Sequence, residues 1–173
     1  IVDLEALESN LEILNHVQEK TNCKILLALK GFAMWSVFPL VGKYLSGIAA
    51  SSPHEAELGR KELNKEVHTY APAFSDHDLQ EVIKFSDHIV FNSFSQWKKF
   101  RTVLKSPKYS SKIQCGLRIN PEHREAKVEI YDPCGRYSRL GITLDHFEAN
   151  ELDGISGLHF HNLCELNSDA LIR

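Results

Sequence analysis

Leu4, Leu7, Leu11, Leu14 and Val17 recur at helical spacing with polar residues between them, which predicts an amphipathic helix over residues 3–19. Beyond it the pattern changes to short apolar runs. These predict strands at 24–29, 47–51, 67–71, 88–92, 113–119 and 155–160. Helical patterns fill the gaps at 32–45, 53–63, 75–85 and 95–104, the last with Phe100, Val103 and Leu104 on one stripe. A final helix is expected to begin near Asn167. Strands that alternate with helices in this way predict βα units and a parallel sheet. Six units fit either a Rossmann-like sheet or an incomplete eight-stranded barrel. Residues 120–139, with Pro121, Pro133, Gly135 and three arginines, form the longest predicted loop.

Composition narrows the class without naming a chemistry. The 173 residues are 43% hydrophobic, enough for a real core, and suggest one domain. A net charge of −3 favours neither nucleic acid nor an anionic membrane as a partner. No apolar run approaches the roughly 18 residues that span a bilayer. The opening residues Ile1 to Glu5 carry no basic region of the signal-peptide kind. Cys23, Cys115, Cys134 and Cys164 show no paired spacing, so reduced thiols and a cytoplasmic location are expected. Neither a GxGxxG after the first strand nor a GxxxxGK[ST] occurs, which removes support from the dinucleotide and P-loop readings. The sequence ends inside an apparent helix at 170–173, two βα units short of a closed barrel, and a longer protein is therefore expected.

Candidate chemistry gathers where strands end. Lys30 closes the run Ile25 to Leu29 and is followed by Gly31, at the carboxyl end of a buried strand. Partial desolvation there would favour the neutral amine and Schiff-base chemistry. His159 and His161 lie two apart at the sixth strand's end and share one face. With Cys164 they also permit a zinc site and a barrel hydrolase. Arg118 ends the fifth strand, where a buried guanidinium requires a partner. For Arg118 and Arg139 a plain structural alternative is a salt bridge to a carboxylate such as Asp132. Ser52, Pro53 and Glu55 read as N-cap, first helical position and the third residue of a capping box. Asn92 and Ser93 end the fourth strand as polar groups facing the same mouth, Asn92 as a candidate cofactor contact.

Five segments, ALKGFAMWSVFPLV, HIVFNSFSQWKKF, CGLRINPEH, YDPCGRYSRLGIT and GISGLHFHNLCELN, together resemble the carboxynorspermidine (carboxyspermidine) decarboxylases. These are fold-type-III enzymes of the alanine-racemase-like and ornithine-decarboxylase-like group. The resemblance implies an α/β fold, a (β/α)8 TIM barrel represented here by about six units, with a C-terminal β domain beyond Arg173. Residues 1–173 would be the N-terminal part of the barrel. It implies pyridoxal 5'-phosphate held as an internal aldimine on Lys30, His161 stacking on its ring, and Arg118, Glu55 and Asn92 around it, with no metal. A small carboxylated polyamine would be decarboxylated to norspermidine or spermidine, by a homodimer. Ala49 stands where ornithine-decarboxylase relatives carry an acidic residue. A non-catalytic cofactor-binding barrel protein is the other reading this resemblance leaves open. Lys30, His161 and Arg118 are expected to converge at the carboxyl-terminal mouth of one sheet.

Overall fold

A computed structural model of the chain describes residues 1–126, 128–163 and 166–172. Six strands, all parallel where their pairing is defined, follow one another in chain order, β1-β2-β3-β4-β5-β6. The chain divides into two compact units, residues 1–70 with 75–89, and residues 71–74 with 90–173.

The first unit is built from α1 (Leu4–Thr21), β1 (Leu26–Ala28), α2 (Phe38–Tyr44), β2 (Gly47–Ala50), α3 (Pro53–Leu58), β3 (Glu66–Tyr70) and α4 (Asp76–Val82), and includes the first residues of β4 (His88–Phe91). Its helix ends are capped as the sequence dictates. Asp3 Oδ1 accepts from the Glu5 and Ala6 N–H groups, and Ser75 and Asp78 form a reciprocal capping box. The predicted helix 32–45 starts later, at Phe38, after a 3-10 turn over Trp35–Val37. Pro39 is the reason: with no N–H and a ring that clashes with the preceding turn, it fits only a helix's first turn. The predicted helix 53–63 splits into α3 and a π turn, Gly59–Leu63. There Gly59 lies so close to β2 that an added Cβ would meet Ile48 Cγ1 at 2.3 Å. The core of this unit joins Ile48 and Val67 from the strands to Phe38, Val41 and Ala56 from the helices.

The second unit holds the end of β4, α5 (Phe94–Leu104), β5 (Gln114–Arg118), β6 (Ile155–His159) and α6 (Ser168–Ile172). Phe94, Trp97, Phe100 and Leu104 form the buried stripe of α5. The expected stripe erred in one member, for Val103 points to solvent while Trp97 is wholly buried. Spacings of three, three and four keep a single helical face, and Val103 falls off it. Phe91 anchors this core, with ring centroids 5.9 Å from Phe74, 5.7 Å from Trp97 and 6.1 Å from Phe100. Lys98, Arg101 and Lys105 on the outer side of α5 pair with Glu148, Glu151 and Asp153. Such exposed pairs contribute little each. No described helix is long and apolar enough to cross a membrane.

Candidate functional site

In the first unit Lys30 stands in the turn 29–31, two residues past the end of β1. The Leu29 N–H still donates to the Ala49 carbonyl at 3.1 Å, and the Gly31 and Phe32 N–H groups both turn back to the Ala28 carbonyl. Lys30 is thus the first residue the ladder no longer holds. In this chain Lys30 is exposed. It follows an edge strand of only three residues, and its neighbour Ala28 is exposed too. Among the described residues Lys30 makes no ion pair, which leaves its amine without a competing carboxylate.

Glu55 belongs to the same unit. Ser52 Oγ accepts from the Glu55 N–H at 3.2 Å, as an N-cap should. The carboxylate, however, accepts from Ser51 N–H at 2.6 Å, one residue before the position a capping box uses. Glu55 is therefore an anchored acceptor, half-buried at the entrance to α3.

In the second unit Asn92, Arg118 and His161 follow or close β4, β5 and β6. Arg118 is 5% exposed, and its register partner on β6 is His159 rather than His161. His159 is half-buried, whereas His161 is exposed past the end of the strand. The proposed bridge to Asp132 is not made by either arginine. Asp132 pairs with Arg124, Oδ2 to Nε at 2.6 Å. Burial pushes that carboxyl up, but the Arg124 hydrogen bond and the Cys134 N–H outweigh it and hold it below the usual range. Burial raises the thiols of Cys134 and of Cys115, the latter to about 11, so neither is an activated nucleophile.

The predicted long loop ends in a small structure that sequence reasoning did not foresee. Asn92 Nδ2 donates to the Arg139 carbonyl at 2.8 Å, and its Oδ1 accepts from the Gly141 N–H at 2.7 Å. On the other side Ile142 bridges Ile119, with the Ile142 N–H donating to the Arg118 carbonyl and the Asn120 N–H to the Ile142 carbonyl. Segment 139–142 is thereby stitched between the ends of β4 and β5. It lines a cleft of about 650 Å³ that also includes Ser93, Asp145 and His146. Gly141 makes the stitch possible: its φ is +85°, and an added Cβ would meet the Ile119 carbonyl carbon at 2.7 Å and the Asn120 nitrogen at 2.8 Å. Gly141→Ala is expected to cost about 1–3 kcal/mol from backbone strain alone. Urea unfolding would show this as a lower midpoint with an unchanged slope. The available signal was the Arg-Leu-Gly triplet closing a long loop, though not the identity of its peg.

The zinc reading of His159 and His161 gains no third ligand among the described residues, and Cys164 lies outside them. The described group whose ligand atoms do converge is Glu66, His68 and His88, in the first unit.

No family model matches the chain. A carboxynorspermidine/carboxyspermidine decarboxylase of Campylobacter jejuni is 47% identical over 171 residues, 99% of this chain and 43% of that protein. A carboxyaminopropylagmatine decarboxylase of Synechocystis is 40% identical over the same extent of both. Among solved structures, a carboxynorspermidine decarboxylase from Campylobacter jejuni, complexed with norspermidine, superposes with a TM-score of 0.84 at 43% identity. That likeness covers 97% of this chain and 41% of the other. The chain therefore spans about two fifths of the length of these relatives.

Proposed function

This chain is a homologue of the carboxynorspermidine/carboxyspermidine decarboxylases along 99% of its length, and we propose on that ground that the whole protein removes carbon dioxide from a carboxylated polyamine in a pyridoxal-phosphate-dependent reaction. The chain supplies the N-terminal part of the cofactor-binding barrel. A cytoplasmic homodimer acting in norspermidine or spermidine synthesis completes the reading. The observation that carries it is Lys30 itself, an exposed amine past the last ladder hydrogen bond of its strand and free of any described ion pair, in a chain this similar to a decarboxylase.

The donor set fits such a cofactor. An amine with no carboxylate partner among the described residues suits covalent capture of an aldehyde. A buried guanidinium at Arg118 offers a fixed positive charge. The exposed ring of His161 offers a flat face, and Glu55 an acceptor already oriented by Ser51. Pyridoxal phosphate, when bound, supplies the sink for the electron pair that departing carbon dioxide leaves behind. Lys30 would hold the cofactor through its Nζ, and the same amine, when not so engaged, could carry a proton. His161 would offer its ring face to the cofactor's ring. Arg118 positions by charge, and Asn92 acts by holding segment 139–142 rather than by touching substrate.

The relatives' names bracket the substrate: carboxynorspermidine, carboxyspermidine and carboxyaminopropylagmatine all carry a carboxylated amino carbon on a cationic chain. The whole protein, loaded with pyridoxal phosphate, is expected to release carbon dioxide from at least one of the three. Retention of the cofactor with no release from any would favour the non-catalytic barrel reading. Activity that is lost with chelator and indifferent to the cofactor would favour the hydrolase.

A further inference from the structure

Glu66 and His68 stand two apart on β3, so their side chains leave the same face of the strand. His88, the first residue of the next strand, joins them. The ligand atoms of all three lie within 4.8 Å of one another, and all three residues are half-buried. His68 Nε2 is 3.2 Å from Glu66 Oε2, and the two imidazoles stack with centroids 3.8 Å apart and planes 18° from parallel. We propose that Glu66, His68 and His88 form a binding site for a divalent transition-metal ion of the zinc class.

Two imidazoles and one carboxylate are a zinc-type donor set, three protein ligands with the fourth position left to water. The same set accepts cobalt, nickel or copper, in rising order of affinity to copper. Metal binding needs an ionised carboxylate and neutral imidazoles. The Lys24 ammonium, which contacts Glu66 Oε1, holds the Glu66 carboxyl below its usual range. Burial, then the neighbouring His68, push the His88 imidazole down, which favours the neutral form a metal needs. Entry of the ion takes two local movements. Stacked rings aim their lone pairs side by side, so one imidazole turns about its Cβ–Cγ bond to bring them together. Lys24, 61% exposed along its side chain, swings into water and gives up Glu66. Lys24 is thus a built-in competitor of the metal.

The test uses the whole protein after chelator treatment, with Zn2+ and Co2+ alone as probes. One equivalent is expected to bind in the micromolar range or tighter, and Co2+ is expected to show the intense visible bands of four-coordination. Glu66→Gln, His68→Gln and His88→Gln should each weaken binding at least tenfold with the far-ultraviolet circular dichroism unchanged. Lys24→Met should strengthen it several-fold, an effect that a purely structural polar cluster has no reason to produce. Absence of saturable binding in the folded wild type, or equal binding by the three ligand variants, overturns the site. Either result leaves the decarboxylase reading untouched, since that rests on Lys30 and on carbon dioxide release.

Discussion

Lys30→Ala is expected to abolish decarboxylation by the whole protein, with a loss on the order of 10⁴-fold or more, as when a covalent nucleophile is deleted elsewhere. The visible absorbance of lysine-bound pyridoxal phosphate should disappear with it. Thermal stability should hardly move. Lys30 makes no described ion pair and lies beyond the last ladder bond of β1, and substitutions that remove neither a core contact nor a buried pair stay within about 0.5 kcal/mol. A large kinetic loss in a fully folded protein thus separates a chemical role from a structural one. Lys30→Arg should fail equally, because a permanently protonated guanidinium forms no imine. Measured carbon dioxide release that survives in Lys30→Ala would falsify the proposed mechanism, whatever the protein's other properties.

The strands were legible because each is a short apolar run bounded by turn residues. The observed limits of all six fall within two residues of those expected. Helix α2 was legible only in part, since an apolar pattern from Phe32 onward carries no mark of where Pro39 permits a helix to start. Lys30 is exposed in this chain, where β1 is flanked by β2 alone. Cover at a strand's end depends on what flanks the strand, and order within a sheet is not written in the run itself. Asp132, the carboxylate named as an example for Arg118 and Arg139, pairs instead with Arg124, eight residues away on the same loop.

The candidate site was legible as residue types at strand ends, and not as partnerships. Lys30 and Glu55 fall in the first unit, and Asn92, Arg118 and His161 in the second. Within the second unit, the register that sets His159 opposite Arg118 depends on a shift between Cys115 and Gly116. A strand's hydrophobic pattern does not encode such a shift. The double hydrogen bond of Asn92 was out of reach for the same reason, since 47 and 49 residues separate it from its partners. Glu66, His68 and His88 could have been found by a narrower signal. An E-x-H pair on alternate positions of one strand, with a histidine opening the next, places three ligands on adjoining strands.

Trp97→Ala is expected to be the most damaging single truncation in the second unit, at about 3–5 kcal/mol. Trp97 is wholly buried, its ring lies 5.7 Å from that of Phe91, and it fills the space that Gly154 leaves open, where an added Cβ would come within 3.0 Å of Trp97 Cζ2. Its indole N–H finds no hydrogen-bond partner among the described residues. A buried donor left unpaired costs about 1–3 kcal/mol, so part of what the ring contributes by packing is offset by that group. Trp97→Phe keeps most of the apolar contact and deletes the unpaired donor. It is therefore expected to cost only about 1 kcal/mol, since the smaller cavity penalty and the relieved N–H act in opposite directions. Denaturant unfolding of the two variants distinguishes this account from one in which the indole nitrogen matters. Equal destabilisation by Phe and Ala would mean that the N–H is paired and contributes. Phe91 immediately precedes Asn92, so the cavity in Trp97→Ala removes support from the residue that pegs segment 139–142. Lost decarboxylation in that variant should consequently track the unfolded fraction and the loosened peg, while Trp97→Phe retains activity.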